Sequence, residues 1–261
     1  MTDPIFSALE LVRMSRRLHA ARRDYPIGMW FGDFEHLTSL AKVSEMRAFH
    51  DVGTRFLERV FEHPRRRPAL DVRMAVTNCD PNVFGPVLRA RGWDALHPGR
   101  VSFVLPGSQA TTSPLTDPRG LESDPVVVSE TRGRGCITTT RPVAPGVASW
   151  TVPVTRAFVL AGMPRLRFRF SSVARDITFT PRMWDEAPDG VQTLVTRGAW
   201  RGVGDTSAVD TELFGAAWRF PPGHRLVLEI PQVDASYLRP DNFASSALVS
   251  DVRLDLPVSS R

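Results

Sequence analysis

Arg165-Leu166-Arg167-Phe168-Arg169-Phe170 alternates charged and apolar side chains with a period of two. Successive side chains of an extended chain point to opposite faces. This stretch therefore places Leu166, Phe168 and Phe170 on one face and three arginines on the other, and it reads as a strand with one face buried. Outward from it the same chemistry repeats. Asp176 to Trp184 and Val191 to Thr196 flank Pro188-Asp189-Gly190, a hairpin signal. Arg225 to Ile230 and Val249 to Leu256 are further β-rich runs. From Leu70 onward, proline, glycine, serine and threonine punctuate short strands, a pattern that predicts a β-sandwich or jelly roll.

The chain before that region has a different period. Residues 5–22 predict a helix with Ile5, Ala8, Leu9 and Val12 on one stripe, widened by Leu11, Met14 and Leu18. Asp3 and Pro4 suit its first turn, since Asp accepts from free N–H groups and Pro needs no hydrogen-bond partner there. Tyr25 to Phe31 is a short apolar run that reads as a buried strand. A second helix is expected from about Ser44 to Glu62, with Met46, Phe49, Val52, Phe56, Leu57 and Val60 at helical spacing. The expected fold class is mainly β: a C-terminal jelly-roll sandwich over 70–261, a linker over 64–69, and an incomplete α/β piece of two helices and a short strand over 1–63. Arg65-Arg66-Arg67, between Pro64 and Pro68, reads as solvated linker.

Composition narrows the function classes. The 42% hydrophobic content over 261 residues is ample for a core. No apolar run reaches the roughly 18 residues of a membrane span, and no signal peptide is visible. The net charge of +5 is carried by arginine, with Lys42 the only lysine. The arginines are scattered and no aromatic-lined basic tract accompanies them, which argues against nucleic acid and for simple solubility. Cys79 and Cys136 lack C-x-x-C or metal-ligand spacing; they fit either a disulfide or two free thiols. Nothing in the sequence calls for a metal or cofactor.

The chemistry-bearing residues lie in the first region. Thr2-Asp3-Pro4-Ile5-Phe6 and Phe31-Gly32-Asp33-Phe34-Glu35-His36 are separated by one helix and one strand. That is the order in which an α/β-hydrolase presents the acid and the base of its triad. With these loops go Leu96-His97-Pro98-Gly99, Leu160-Ala161-Gly162-Met163-Pro164, Trp184-Asp185-Glu186-Ala187-Pro188-Asp189-Gly190 and Phe220-Pro221-Pro222-Gly223-His224-Arg225-Leu226. On these segments the chain resembles the family of cocaine esterase, glutaryl-7-ACA acylase-like esterases and X-Pro dipeptidyl-peptidases. That resemblance implies an α/β-hydrolase domain joined to a C-terminal jelly roll. It makes Asp3 the triad acid and His36 the triad base, lying close together in the fold. The nucleophile is expected on a G-x-S-x-G elbow upstream of the acid, and no G-x-S-x-G occurs in this sequence. The chain therefore reads as the end of a serine hydrolase, inactive on its own, because no acyl-enzyme forms without an activated nucleophile and oxyanion donors.

Other candidates have simpler readings. Asp33 and Glu35 read as exposed loop carboxylates, and His97 and His224 as turn or packing histidines. Asp189 belongs to its Pro-Asp-Gly turn, which explains it without a cation shared with Asp185. Ser108 follows a glycine but lacks the second glycine of an elbow. The arginine strip of Arg165, Arg167 and Arg169 reads as a solvated strand face. Two alternatives stand beside the hydrolase reading. One is a non-catalytic jelly-roll module for binding or assembly. The other is a split enzyme whose nucleophile-bearing half docks on residues 1–62. The expected partners are that separate half or a homo-oligomer, with neither nucleic acid nor membrane.

Overall fold

A computed structural model of the chain describes residues 8–32, 42–63, 71–80, 82–113, 136–174, 176–203, 207–234 and 244–259. The mainly β architecture with two helices holds among them. Helix α1 (Ala8–Ala21) is followed by strand β1 (Gly28–Phe31) and helix α2 (Val43–Glu62). Next come β2 (Asp71–Ala75), β3 (Val87–Ala90), a short 3-10 turn over Asp94–Leu96, β4 (Gly99–Leu105), β5 (Gln109–Ser113) and β6 (Thr138–Thr139). The series continues with β7 (Ala148–Pro153), β8 (Phe158–Gly162), β9 (Arg165–Ser172), β10 (Asp176–Phe179), β11 (Arg182–Glu186) and β12 (Gln192–Arg197). It closes with β13 (Trp200–Val203), β14 (Ala208–Glu212), β15 (Ala216–Phe220), β16 (Arg225–Ile230) and β17 (Ser245–Ser259).

Two sheets form the sandwich. One has the order β6-β12-β11-β16-β7; in the other β17 is the hub, pairing with β9, β8, β4 and β5, with β14 and β15 outside. Their inner faces share one core. Leu166, Phe168 and Phe170 of β9 meet Met183 of β11 and Leu226, Leu228 and Ile230 of β16. The alternation in β9 is as expected, with its apolar residues buried. The hairpin after β11 is also as expected: Asp189 Oδ1 accepts the Val191 N–H at 3.0 Å, and Gly190 takes φ 85°. A side chain at that φ is strained, which is why the turn uses glycine.

The run from Asp176 to Trp184 is two strands rather than one. β10 pairs with β13 in a separate two-stranded sheet, whereas β11 pairs with β12 and β16. The break falls at Thr180-Pro181, where the Thr180 N–H donates to the Pro231 carbonyl at 2.8 Å. Pro181 has no N–H with which to continue a ladder.

The first region finds more sheet than one strand. β1 pairs in parallel with β2, from Gly28 opposite Asp71 to Phe31 opposite Met74, and β2 pairs antiparallel with β3. This small sheet takes strands from both sides of residues 64–69. α1 covers one face: Val12 is fully buried with Met29, Phe31, Val72, Met74 and Trp93. The same cluster reaches Ala161 of β8 and Ala217 of β15, so it continues into the sandwich. α2 covers the other face incompletely. Phe56 lies over Gly28 and Phe49 meets Trp30 edge-on at 6.4 Å, but Leu57 is 52% and Phe61 76% exposed. A disulfide joins Cys79, in the loop after β2, to Cys136 just before β6. It resolves the two readings of the cysteines and ties the small sheet to the sandwich.

Candidate functional site

Asp3 and His36 lie outside the described residues, as do Asp33 and Glu35. The frame around them is described. α1 runs from Ala8, shortly after Asp3, and packs on the sheet face formed by Met29 and Phe31. Phe31, the last residue of β1, meets Trp93 edge-on at 4.9 Å. Gly32 then leads toward the stretch that carries His36.

A buried carboxylate stands at that point. Glu45, in the first turn of α2, is fully buried, and the Trp30 indole N–H donates to its Oε1 at 3.1 Å. A Cβ on Gly32 would lie 1.8 Å from the same oxygen and 2.9 Å from the Trp30 indole nitrogen, so a larger residue there would displace the Glu45 carboxylate. Two further contacts fix this end of α2 against the loop after β2. The buried Lys42 ammonium donates to the Asn78 carbonyl, and Ser44 Oγ donates to the Asn82 carbonyl at 3.2 Å. Glu45 was missed in the sequence, though a signal exists. Glu45, Phe49, Val52 and Phe56 recur at intervals of four, three and four, so a glutamate occupies a position of the packing stripe.

The remaining candidates fall into structural roles. Ser108 is exposed in the β4–β5 turn beside Gly107, which takes φ 80°. Asp185 is buried; it accepts the Trp218 indole N–H at 2.9 Å and has His224 Nδ1 2.9 Å from its other oxygen. Asp185 and Asp189 thus serve different partners. His97 packs edge-on to Trp93 with its Nε2 buried and without a hydrogen bond, and burial pushes its pKa below the ordinary value. On β9, Arg165 pairs with Asp210 at 2.6 Å and Arg167 with Asp255. These cross-strand carboxylates neutralise much of the expected basic strip.

Basic charge collects elsewhere. A groove of about 730 Å³ lies between α2 and the outer face of the β1-β2-β3 sheet. Trp30, Phe49 and Phe56 supply aromatic wall, and Arg55, Arg59, Arg73, Arg89 and Arg91 supply guanidinium groups. Its one carboxylate, Asp71, takes Arg73 at 2.9 Å and Arg89 at 2.7 Å. Burial alone would raise the Asp71 carboxyl, but the hydrogen bonds and charge of Arg89 and Arg73 outweigh it and hold the group below the ordinary range.

Comparison with known proteins places the chain by its second half. The family described as the X-Pro dipeptidyl-peptidase C-terminal non-catalytic domain matches residues 99–242, just over half of the chain. No curated protein sequence matches. Among solved structures, an aminopeptidase from the marine sediment archaeon Thaumarchaeota archaeon is similar with a TM-score of 0.58 at 16% identity, covering 81% of this chain and 44% of that one. A CocE/NonD family hydrolase from Staphylococcus aureus is similar with a TM-score of 0.51 at 10% identity, covering 72% of this chain and 41% of that one. At such identities the likeness is one of fold. The chain spans less than half the length of either structure.

Proposed function

The chain belongs to the X-Pro dipeptidyl-peptidase C-terminal domain family, and on that premise we propose that it is the C-terminal part of a serine hydrolase cleaving peptide or ester bonds. In this reading residues 1–63 are the end of an α/β-hydrolase domain, β2 and β3 complete its small sheet, and the rest of residues 70–261 is its accessory jelly roll. A serine on a separate stretch of polypeptide attacks the acyl carbon. His36 takes the serine proton and returns it to the leaving group, while Asp3 holds the imidazole in the right tautomer and stabilises the imidazolium. The chain's own residues supply the second and third roles only, so alone it turns nothing over.

One observation carries the reading beyond family membership. Among the described residues β1 is hydrogen-bonded on one side only, to β2. Leu57 and Phe61, a turn apart on α2, share an exposed stripe about 100° around the helix from Phe56. An open strand edge beside an apolar helix flank suits more parallel sheet, as a nucleophile-bearing half would provide. Glu45 and Trp30 close around Gly32, where the chain leaves β1 toward His36.

The test begins with the DNA immediately upstream. The reading expects it to encode a polypeptide with a G-x-S-x-G elbow, continuous with this chain or separate from it. Co-expressed with this chain, that polypeptide should be labelled at its elbow serine by a fluorophosphonate probe. An upstream region without such a polypeptide would set the hydrolase reading aside in favour of a free-standing binding module.

A further inference from the structure

We propose that the groove between α2 and the β1-β2-β3 sheet is a docking site for an acidic protein segment in which carboxylates alternate with apolar side chains. This goes beyond the hydrolase reading and does not depend on the open edge of β1.

Charge sets the groove apart. On β9 Arg165 has a cross-strand carboxylate in Asp210 and Arg167 one in Asp255. The groove holds more arginine than its carboxylate can pair. Asp71 is its only acidic lining residue and already holds both Arg73 and Arg89. Arg55, Arg59 and Arg91 are exposed and have no carboxylate partner among the described residues. Three guanidinium groups, two from α2 and one just after β3, therefore line one concavity with no ion pair among the described residues. Arginine is the side chain that binds carboxylates in a two-pronged fashion, through a rigid fork of donors.

Shape and lining then select the kind of acid. The walls are aromatic: Trp30, with Arg73 stacked 5.9 Å above its ring, and Phe49 and Phe56 of α2. A volume of about 730 Å³ is far more than a lone carboxylate needs, and concave sites of that size bury most of a drug-sized ligand. A segment that offers carboxylates to the arginine side and apolar groups to the aromatic side satisfies both surfaces at once. A nucleic acid would meet the arginines with phosphate, but among the described residues these arginines line one concavity with an apolar wall rather than an extended track.

The experiment uses the full chain and a short fluorescein-labelled peptide in which Glu alternates with Leu and Phe, followed by fluorescence anisotropy. The proposal expects saturable binding that weakens as salt is raised. It expects about tenfold or greater loss in an Arg55→Glu, Arg59→Glu, Arg91→Glu variant, since each position removes a charge-assisted contact. Because those side chains are exposed, the variant should keep the parent's circular dichroism and melting midpoint. A second variant with the same charge change on the sandwich, Arg169→Glu, Arg219→Glu, Arg253→Glu, should bind the peptide nearly as the parent does. Equal losses in the two variants would reduce the effect to net charge and overturn the site. Equal binding of a polyglutamate peptide would overturn the role of the aromatic wall. Tighter binding of a single-stranded oligonucleotide would overturn the assignment to a protein partner.

Discussion

Replacing Leu57 and Phe61 together by serine separates two jobs that the same residues cannot both perform. Phe61 is 76% exposed and Leu57 52% exposed. Full burial of a Leu or Phe side chain is worth about 1.5–3 kcal/mol. Scaled by those exposures, covering the pair would contribute about 2–4 kcal/mol, while the part already buried contributes about 1–2 kcal/mol to the folded chain by itself. The double variant should therefore lose only about 1–2 kcal/mol in urea unfolding. It should weaken assembly with the proposed nucleophile-bearing half by roughly 30- to 1000-fold. Urea titration followed by circular dichroism gives the first quantity, and titration of assembly by light scattering or calorimetry gives the second. A loss of about 3 kcal/mol or more in the isolated chain would refute the reasoning, because it would mean that this stripe of α2 is already buried within the chain.

Three other outcomes follow from the packing. Arg182 and Glu229 are fully buried opposite one another on β11 and β16, 3.0 Å apart, with Asp234 3.4 Å from the same guanidinium. Arg182→Met should cost about 3–5 kcal/mol in denaturant unfolding, since it removes the guanidinium that neutralises buried Glu229 and leaves Asp234 to Arg197; a cost under about 1 kcal/mol would deny the network its role. The Cys79–Cys136 disulfide closes a loop of 57 residues. Its removal by Cys79→Ser with Cys136→Ser should lower stability by about 4 kcal/mol on the chain-entropy account, measured by the same titration under non-reducing conditions. The pKa of His97 is lowered in the fold because burial penalises its charged form, so the neutral imidazole is the one the fold favours. Its contribution is complete above the unfolded value of 6.5 and is lost as pH falls through the lower folded value. The thermal midpoint should fall between pH 7 and pH 5, and His97→Gln should flatten that slope.

Elements whose burial follows a local period were legible in the sequence. The alternation of β9, the Pro-Asp-Gly hairpin and the stripes of α1 and α2 all depend on neighbours a few residues apart. β17 shows where that logic weakens. Val249 to Leu256 reads as a strand, but the strand runs from Ser245 to Ser259 with its phase broken. Ala247 and Val249 are buried before the break, Val252, Leu254 and Leu256 after it. Asp251 takes φ 53° there and the pairing with β9 shifts between Ser250 and Arg253. One inserted residue flips the alternation, as a bulge does. The partnership of β1 with β2 was not legible, because a parallel register depends on contacts across a helix-length crossover rather than on local pattern. Residues 71–90 carry strand propensity that fits the sandwich equally well. Glu45 stood in plain view at a packing position, but its burial depends on Trp30 and Gly32, which the helix period does not reveal. The groove could not be read as a site at all, since its arginines come from α2, β2 and β3 and converge only once the small sheet has formed.

The most direct measurement is hydrolysis of X-Pro anilides and p-nitrophenyl esters by this chain co-purified with the proposed nucleophile-bearing half, comparing the parent with His36→Ala and His224→Ala. The account predicts that the chain alone is inactive and that the assembly turns substrate over. His36→Ala should lower kcat by roughly 10⁴-fold or more, as loss of a triad member does. His224→Ala, which removes a structural partner of Asp185, should leave kcat within a few-fold wherever the protein remains folded. Turnover indifferent to His36→Ala, or full activity from this chain by itself, would contradict the claim that it carries the acid and base of a serine hydrolase.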